Sequence, residues 1–227
     1  MLESEKDSHH YHHGNVKEAL IVEALTFITE NQAANISLRG LSRQIGITPA
    51  AVYNHFSDKD ALILAVKVRI YEKFNAFFEA RLTNTDDPEQ SLLEMCQSYY
   101  QFSRQFPSHF QFLFGSVLPM QWSTPEMVEV ACRCIVRARK LVLQIYQKYQ
   151  MTYSEEEVVN TTLLVWSQLH GIVTLRNSGS IQAAVTYQNW PASCALGNDS
   201  ETEELIRQHI HLMVNGVLNI QRGPENH

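Results

Sequence analysis

A chain of 227 residues that is 44% hydrophobic and only 19% charged carries enough apolar material for a sizeable core, which excludes general disorder. Its formal charge of -6 excludes a uniformly basic nucleic-acid binder, so any such affinity must be local. Met1–Ser8 is polar and of mixed charge, unlike an export signal, and no later run reads as long and apolar enough to span a bilayer.

Hydrophobic spacing is helical along nearly the whole chain, with no sustained alternation of the kind a strand shows. From Asn15 to Asn31 it sets Val16, Leu20, Ala24, Phe27 and Ile28 on one face of a first helix. Ser37 precedes a short second helix bearing Leu38, Leu41 and Ile45, which Gly46 closes as a left-handed cap. Thr48 and Pro49 open a third: a hydroxyl that can cap, then a proline where a missing N–H costs nothing. Ser57 is the expected cap of a long fourth helix, 58–82, which the breaker from Thr83 to Pro88 stops. Beyond it the pattern predicts helices at Glu89–Gln105, His109–Phe114, Pro125–Tyr149, Glu155–Arg176 and Glu201–Gln221. Asn177 to Ser200 reads as loop, with a helical turn near Ile181–Tyr187. The expected fold is all-α: a three-helix head over residues 1–60 and a larger helical body over 61–227, connected by the 58–82 helix.

The stretch from Ser37 to Phe56 holds the chemistry. Two short helices joined by a tight glycine turn make a helix-turn-helix, whose second helix can enter the major groove of DNA. Leu38, Leu41, Ile45, Ile47, Val52 and Phe56 supply a small core, with Ser42 where the helices cross closely. Thr48, Ala50, Ala51, Tyr53, Asn54 and His55 are left outward. Small residues let the backbone approach base edges, and a Thr or Ala methyl can meet a thymine methyl. Tyr53, His55 and Lys59 are donors spaced for flanking phosphates, and the N–H groups after Ser37 could hold another. The charge is permissive: His9–Leu82 carries eight Lys/Arg against seven Asp/Glu, whereas Thr83–His227 carries nine against fourteen.

Across roughly Tyr11 to Lys67 the chain resembles the tetracycline-repressor (TetR) family of transcriptional regulators. The resemblance rests on the first-helix apolar pattern, Ser37-Leu38-Arg39, Leu41, Ile45-Gly46-Ile47, Ala50-Ala51-Val52-Tyr53, His55-Phe56, Lys59 and Ala61-Leu62. It implies that Arg39 meets a base or phosphate, that Ala50, Ala51 and Asn54 read bases, and that Tyr53, His55 and Lys59 bind phosphates. Thr48, with Pro49 behind it, would cap the third helix and touch DNA backbone. Gly40 departs from the family pattern, costs about 1 kcal/mol of helix propensity relative to Ala, and acquires no role. The run His9–His13 before Gly14 reads several ways: a metal-binding or tag-like segment, an arm reaching DNA, or a polar terminus.

The body is less specific. Tyr99, Phe102, Phe106, Phe110, Trp122 and Met127 belong to an aromatic and methionine cluster whose spacing reads first as core, and which the family resemblance implies could line an apolar effector pocket. Trp166-Ser167-Gln168-Leu169-His170-Gly171 resembles the Trp-His-Gly signature of one TetR-family C-terminal class, and His170 is either a ligand anchor or a satisfied core histidine. Leu205, His209, Leu212, Met213, Gly216, Val217 and Ile220 form one stripe on the last helix. With the Trp166 helix it could build a four-helix bundle with a second chain, or fold inward in a monomer.

The family resemblance implies a ligand-responsive repressor that acts as a homodimer and releases operator DNA on binding a small, largely apolar effector. Its expected place is the cytoplasm, on the nucleoid when bound to DNA, without membrane attachment. No cofactor and no metal site are expected: Cys132 and Cys134 point apart on a helix, and Cys96 and Cys194 stand alone. No Gly-x-Ser-x-Gly elbow, His-Glu-x-x-His, phosphate-cradling glycine loop or dinucleotide fingerprint is present, so no enzyme is expected; the rival readings are a helical adaptor without DNA binding and a helical enzyme.

Overall fold

The computed structural model describes residues 16–31, 36–83, 85–115 and 124–222. Every regular element among them is helical: α1 Val16–Asn31, α2 Leu38–Gln44, α3 Pro49–Tyr53, α4 Lys59–Glu79, α5 Pro88–Gln105 and α6 Pro107–Phe114 come first. They are followed by α7 Pro125–Lys148, α8 Glu155–Asn177, α9 Ser180–Tyr187, a 3-10 turn at Ala192–Ala195, and α10 Asp199–Arg222. Proline opens four of the helices, at Pro49, Pro88, Pro107 and Pro125, because the first turn needs no N–H from it. Ser154 and Glu157 cap α8 reciprocally: the hydroxyl accepts the Glu157 N–H while the carboxylate accepts the Ser154 N–H.

The chain divides into two compact units, one drawing on the residues up to Tyr71 and on Ser108–Met127, the other on Glu72–Pro107 and the residues from Val128 onward. In the first, Leu20, Ala24 and Ile28 of α1 are buried at the four-residue spacing that keeps one helical face inward. Phe110, Phe112 and Leu113 of α6 are buried in the same unit. In the second, α5 is buried nearly all round through Leu92, Cys96, Tyr99, Tyr100 and Phe102, and α8 and α10 pack against it.

Several expected boundaries shift. The cap of α4 is Asp58 rather than Ser57: its carboxylate accepts the Ala61 N–H at 2.8 Å, and the Ser57 hydroxyl donates to the same carboxylate. That helix ends at Glu79, three residues before the expected Leu82, and Thr83 turns to bond Glu94 of α5 through both its N–H and its hydroxyl. The helical turn expected near Ile181–Tyr187 is a full helix, α9, entered through Gly179 at φ +74. One correction concerns membranes. By length and composition α8 is apolar enough to cross one, contrary to the reading of the sequence, yet Val158, Val165, Leu169 and Val173 bury one of its faces inside the unit.

Candidate DNA-recognition face and helical body

The α2–α3 corner is built by three local devices. The Ser37 hydroxyl accepts the Gly40 N–H at 3.1 Å and caps α2. At the other end, Gly46 adopts φ +72 while its N–H donates to the Arg43 carbonyl and the Ile47 N–H to the Ser42 carbonyl. That pair of bonds satisfies the last carbonyls of α2 and favours a residue without a Cβ at the left-handed position. Thr48 then accepts the Ala51 N–H at 3.2 Å, capping α3.

Helix α3 is anchored by Val52, its buried residue, with Leu38, Leu41, Ser42 and Phe56 buried around it. Thr48, Pro49, Ala50, Asn54 and His55 are exposed, Ala51 is half-buried, and Tyr53 is 50% exposed. Ser37 and Arg39 are exposed and Lys59 is half-buried. The Ala61 N–H, joined by the Ser57 hydroxyl, holds the Asp58 carboxyl below its usual range. Arg43, which the sequence reading passed over, is exposed one turn after Arg39 on α2. Another omission is the two-pronged ion pair of Arg69 on α4 with Glu18 on α1, at 2.5 and 2.8 Å. The run His9–Gly14 lies outside the described residues.

The expected effector residues fall in different settings. The Tyr99 hydroxyl lies 2.7 Å from His170 Nδ1, and Thr174 Oγ1 lies 3.4 Å from Nε2. Burial pushes the His170 pKa down, which favours the neutral ring. Phe102 is fully buried among Phe74, Phe77 and Phe106, meeting the first two edge-on, so it fills space between helices. Phe110 and Met127 belong to the other compact unit, Trp166 is 40% exposed, and Trp122 lies outside the described residues.

On α10 the inward stripe is Thr202, Ile206, Ile210 and Val214. The stripe expected from sequence runs beside it. His209, Leu212, Met213, Gly216 and Val217 line an open groove of about 470 Å³ together with Tyr146 of α7 and Thr161, Leu164 and Val165 of α8. Leu212 is 70% exposed, and Leu163 and Leu164 of α8 are exposed too; Leu205 is half-buried, and the side chain of Ile220 lies outside the described set. His209 bonds the Val165 backbone, its Nε2 is buried without a hydrogen-bond partner among the described residues, and burial lowers its pKa.

Residues 17–66 match the family model described as bacterial regulatory proteins, tetR family, and residues 92–189 match one described as tetracyclin repressor-like, C-terminal domain. The chain belongs to the TetR family. It is a DNA-binding transcriptional regulator, and the matched N-terminal segment contains the α2–α3 corner. The C-terminal match does not name the Trp-His-Gly class, which remains a resemblance. The uncharacterized HTH-type transcriptional regulator Rv0681 of Mycobacterium tuberculosis is 23% identical over 163 residues, covering 72% of this chain and 71% of that protein. A protein of unknown function from Rhodococcus sp. RHA1 shares the fold at a TM-score of 0.71 and 18% identity, with 92% of this chain and 98% of that one aligned. RolR in complex with resorcinol shares it at 0.54 and 16%, over 93% and 95%.

Proposed function

We propose that this TetR-family regulator binds operator DNA as a homodimer and releases it when a small, largely apolar effector enters the body. The observation that carries the reading is the outward face of α3. A short helix held by one buried side chain presents small and polar groups to solvent, as a major-groove reader requires. Ala50, Ala51 and Asn54 then face base edges. Tyr53, His55 and Lys59, with Ser37, Arg39 and the Thr48–Pro49 cap, hold the sugar-phosphate backbone. No side chain in this scheme performs catalysis, and the protein acts in the cytoplasm, where the DNA is.

Dimerisation is supported by the outer surface of α8 and α10. Their exposed leucines and the groove between them are apolar area of the kind a second copy covers. A two-fold pair would repeat the reading helix along one side of a duplex. For the effector, the Tyr99–His170 pair offers a polar anchor among the phenylalanines of α4 and α5. RolR, of like fold, has been crystallised with resorcinol. Binding would shift the population away from the operator-competent state, so effector and DNA weaken each other by the same factor.

The test is DNA binding across a salt series. The wild-type protein should bind a selected duplex with an affinity that falls steeply as salt rises, because several phosphates are neutralised per dimer. Tyr53→Phe with Lys59→Ala should weaken all sequences alike, whereas changes at Ala50, Ala51 or Asn54 should alter sequence preference. Unchanged operator binding in the Tyr53/Lys59 double variant would reject this docking face.

A further inference from the structure

Asn75 is a polar side chain in an apolar stretch of α4. It is 5% exposed, flanked by buried Phe74, Phe77 and Phe78, and its amide spans one turn of α7. Nδ2 donates to the Val130 carbonyl at 2.9 Å, and the Cys134 thiol donates to Oδ1 at 3.1 Å. Val130 and Cys134 are four residues apart, so they stand on the same face of α7, one turn from each other. Burial pushes the Cys134 thiol up to about 12, so the sulfur keeps the proton it donates. Both ends of the amide are satisfied at this one alignment.

Axial sliding of α4 on α7 by a single residue moves the amide about 1.5 Å and breaks both bonds in a buried setting. Ring contacts carry no fixed hydrogen-bond geometry, so the amide adds a directional constraint that phenylalanine packing lacks. A buried asparagine in a helix seam is known to fix register at a cost in stability. The helix it holds is continuous from Lys59 to Glu79, and its residues up to Tyr71 belong to the unit that contains α2 and α3.

We infer that Asn75 is a positioning residue: it pins the register of α4 on α7 and so maintains the operator-binding form of the regulator. The inference rests on the DNA-binding reading above and adds to it the seam at which that form is held. Asn75 makes no contact with DNA in this scheme. Its effect on affinity runs through α4, which gives it a signature that a merely structural asparagine lacks.

The experiment compares full-length wild type with Asn75→Leu, an apolar side chain of similar size. The probe is a duplex of about 30 base pairs, selected from random sequence by the wild-type protein. Asn75→Leu should melt at the same or a higher temperature, yet bind this duplex more than about threefold more weakly. Binding within about threefold of wild type at an undiminished melting temperature overturns the pin and leaves the DNA reading standing. A wild-type protein that selects no duplex overturns both. Should Asn75→Leu lower the melting temperature, Cys134→Ala decides, since it removes one of the two α7 anchors at a half-buried site. A loss beyond about twofold supports the pin, and a smaller change refutes it.

Discussion

Gly40 sits in the first turn of α2, where an alanine would ordinarily be the better residue. Replacing Gly by Ala inside a helix gains about 1 kcal/mol from propensity. Here a Cβ at position 40 would lie 2.9 Å from the Ser37 Oγ, the atom that accepts the Gly40 N–H. The hydroxyl would have to rotate away, and losing an N-terminal serine cap costs about 1 kcal/mol. Gly40→Ala in the wild type should therefore leave stability nearly unchanged. In a Ser37→Ala background the obstruction is gone, and the same substitution should stabilise by about 1 kcal/mol. The two sites should thus couple by about 1 kcal/mol in a double-mutant cycle. Urea unfolding at one fixed protein concentration measures it, with midpoints compared at a common slope. A wild-type background that gains the full propensity term from Gly40→Ala, with the two changes additive, would refute the account of the cap.

Acid should weaken the second unit before its carboxylates titrate. Burial lowers the pKa of both His170 and His209, so the folded chain binds fewer protons than the unfolded one near pH 6. Stability is then full above the unfolded histidine value of about 6.5 and falls as pH drops below it, by at most about 1.4 kcal/mol per pH unit for each ring. Urea midpoints at successive pH values check this, and a flat profile down to pH 5 in the wild type would contradict it. At the outer α8–α10 face, Leu212→Arg places a charge on a side chain that is 70% exposed in the single chain. It should leave helicity unchanged and convert the proposed dimer to monomer. Sedimentation at micromolar concentration reads the outcome, and an undisturbed dimer would move the interface elsewhere.

What could be read from sequence was local. The Gly46 and Thr48–Pro49 signals act over three or four residues, and each is realised with the expected dihedral or hydrogen bond. One boundary moved where two neighbouring residues compete. Ser57 and Asp58 both suit a cap, and the carboxylate takes the N–H while the hydroxyl serves the carboxylate. On α10 the apolar stripe was visible, but the direction it faces was not, because Ile206, Ile210 and Val214 form a second stripe beside it. Pairs distant in the chain left no mark: Glu18 with Arg69, Asn75 with Val130 and Cys134, Tyr99 with His170. Each requires knowing which helices are neighbours. The aromatic cluster was legible as composition only, and Phe102 proves to be held among other rings.

The economy of α3 bears on how such a regulator changes its target. Five residues long, with Val52 as its buried side chain and Thr48 as its cap, this helix separates the side chains that keep it in place from those that touch solvent. On the proposed docking, exchanging the exposed Ala50 would alter what a base edge meets while leaving the buried Val52 and the Thr48 cap in place. Surface exchanges of that kind usually shift stability by no more than about 0.5 kcal/mol. If α3 reads bases as proposed, new target sequences would be reachable through intermediates that stay folded.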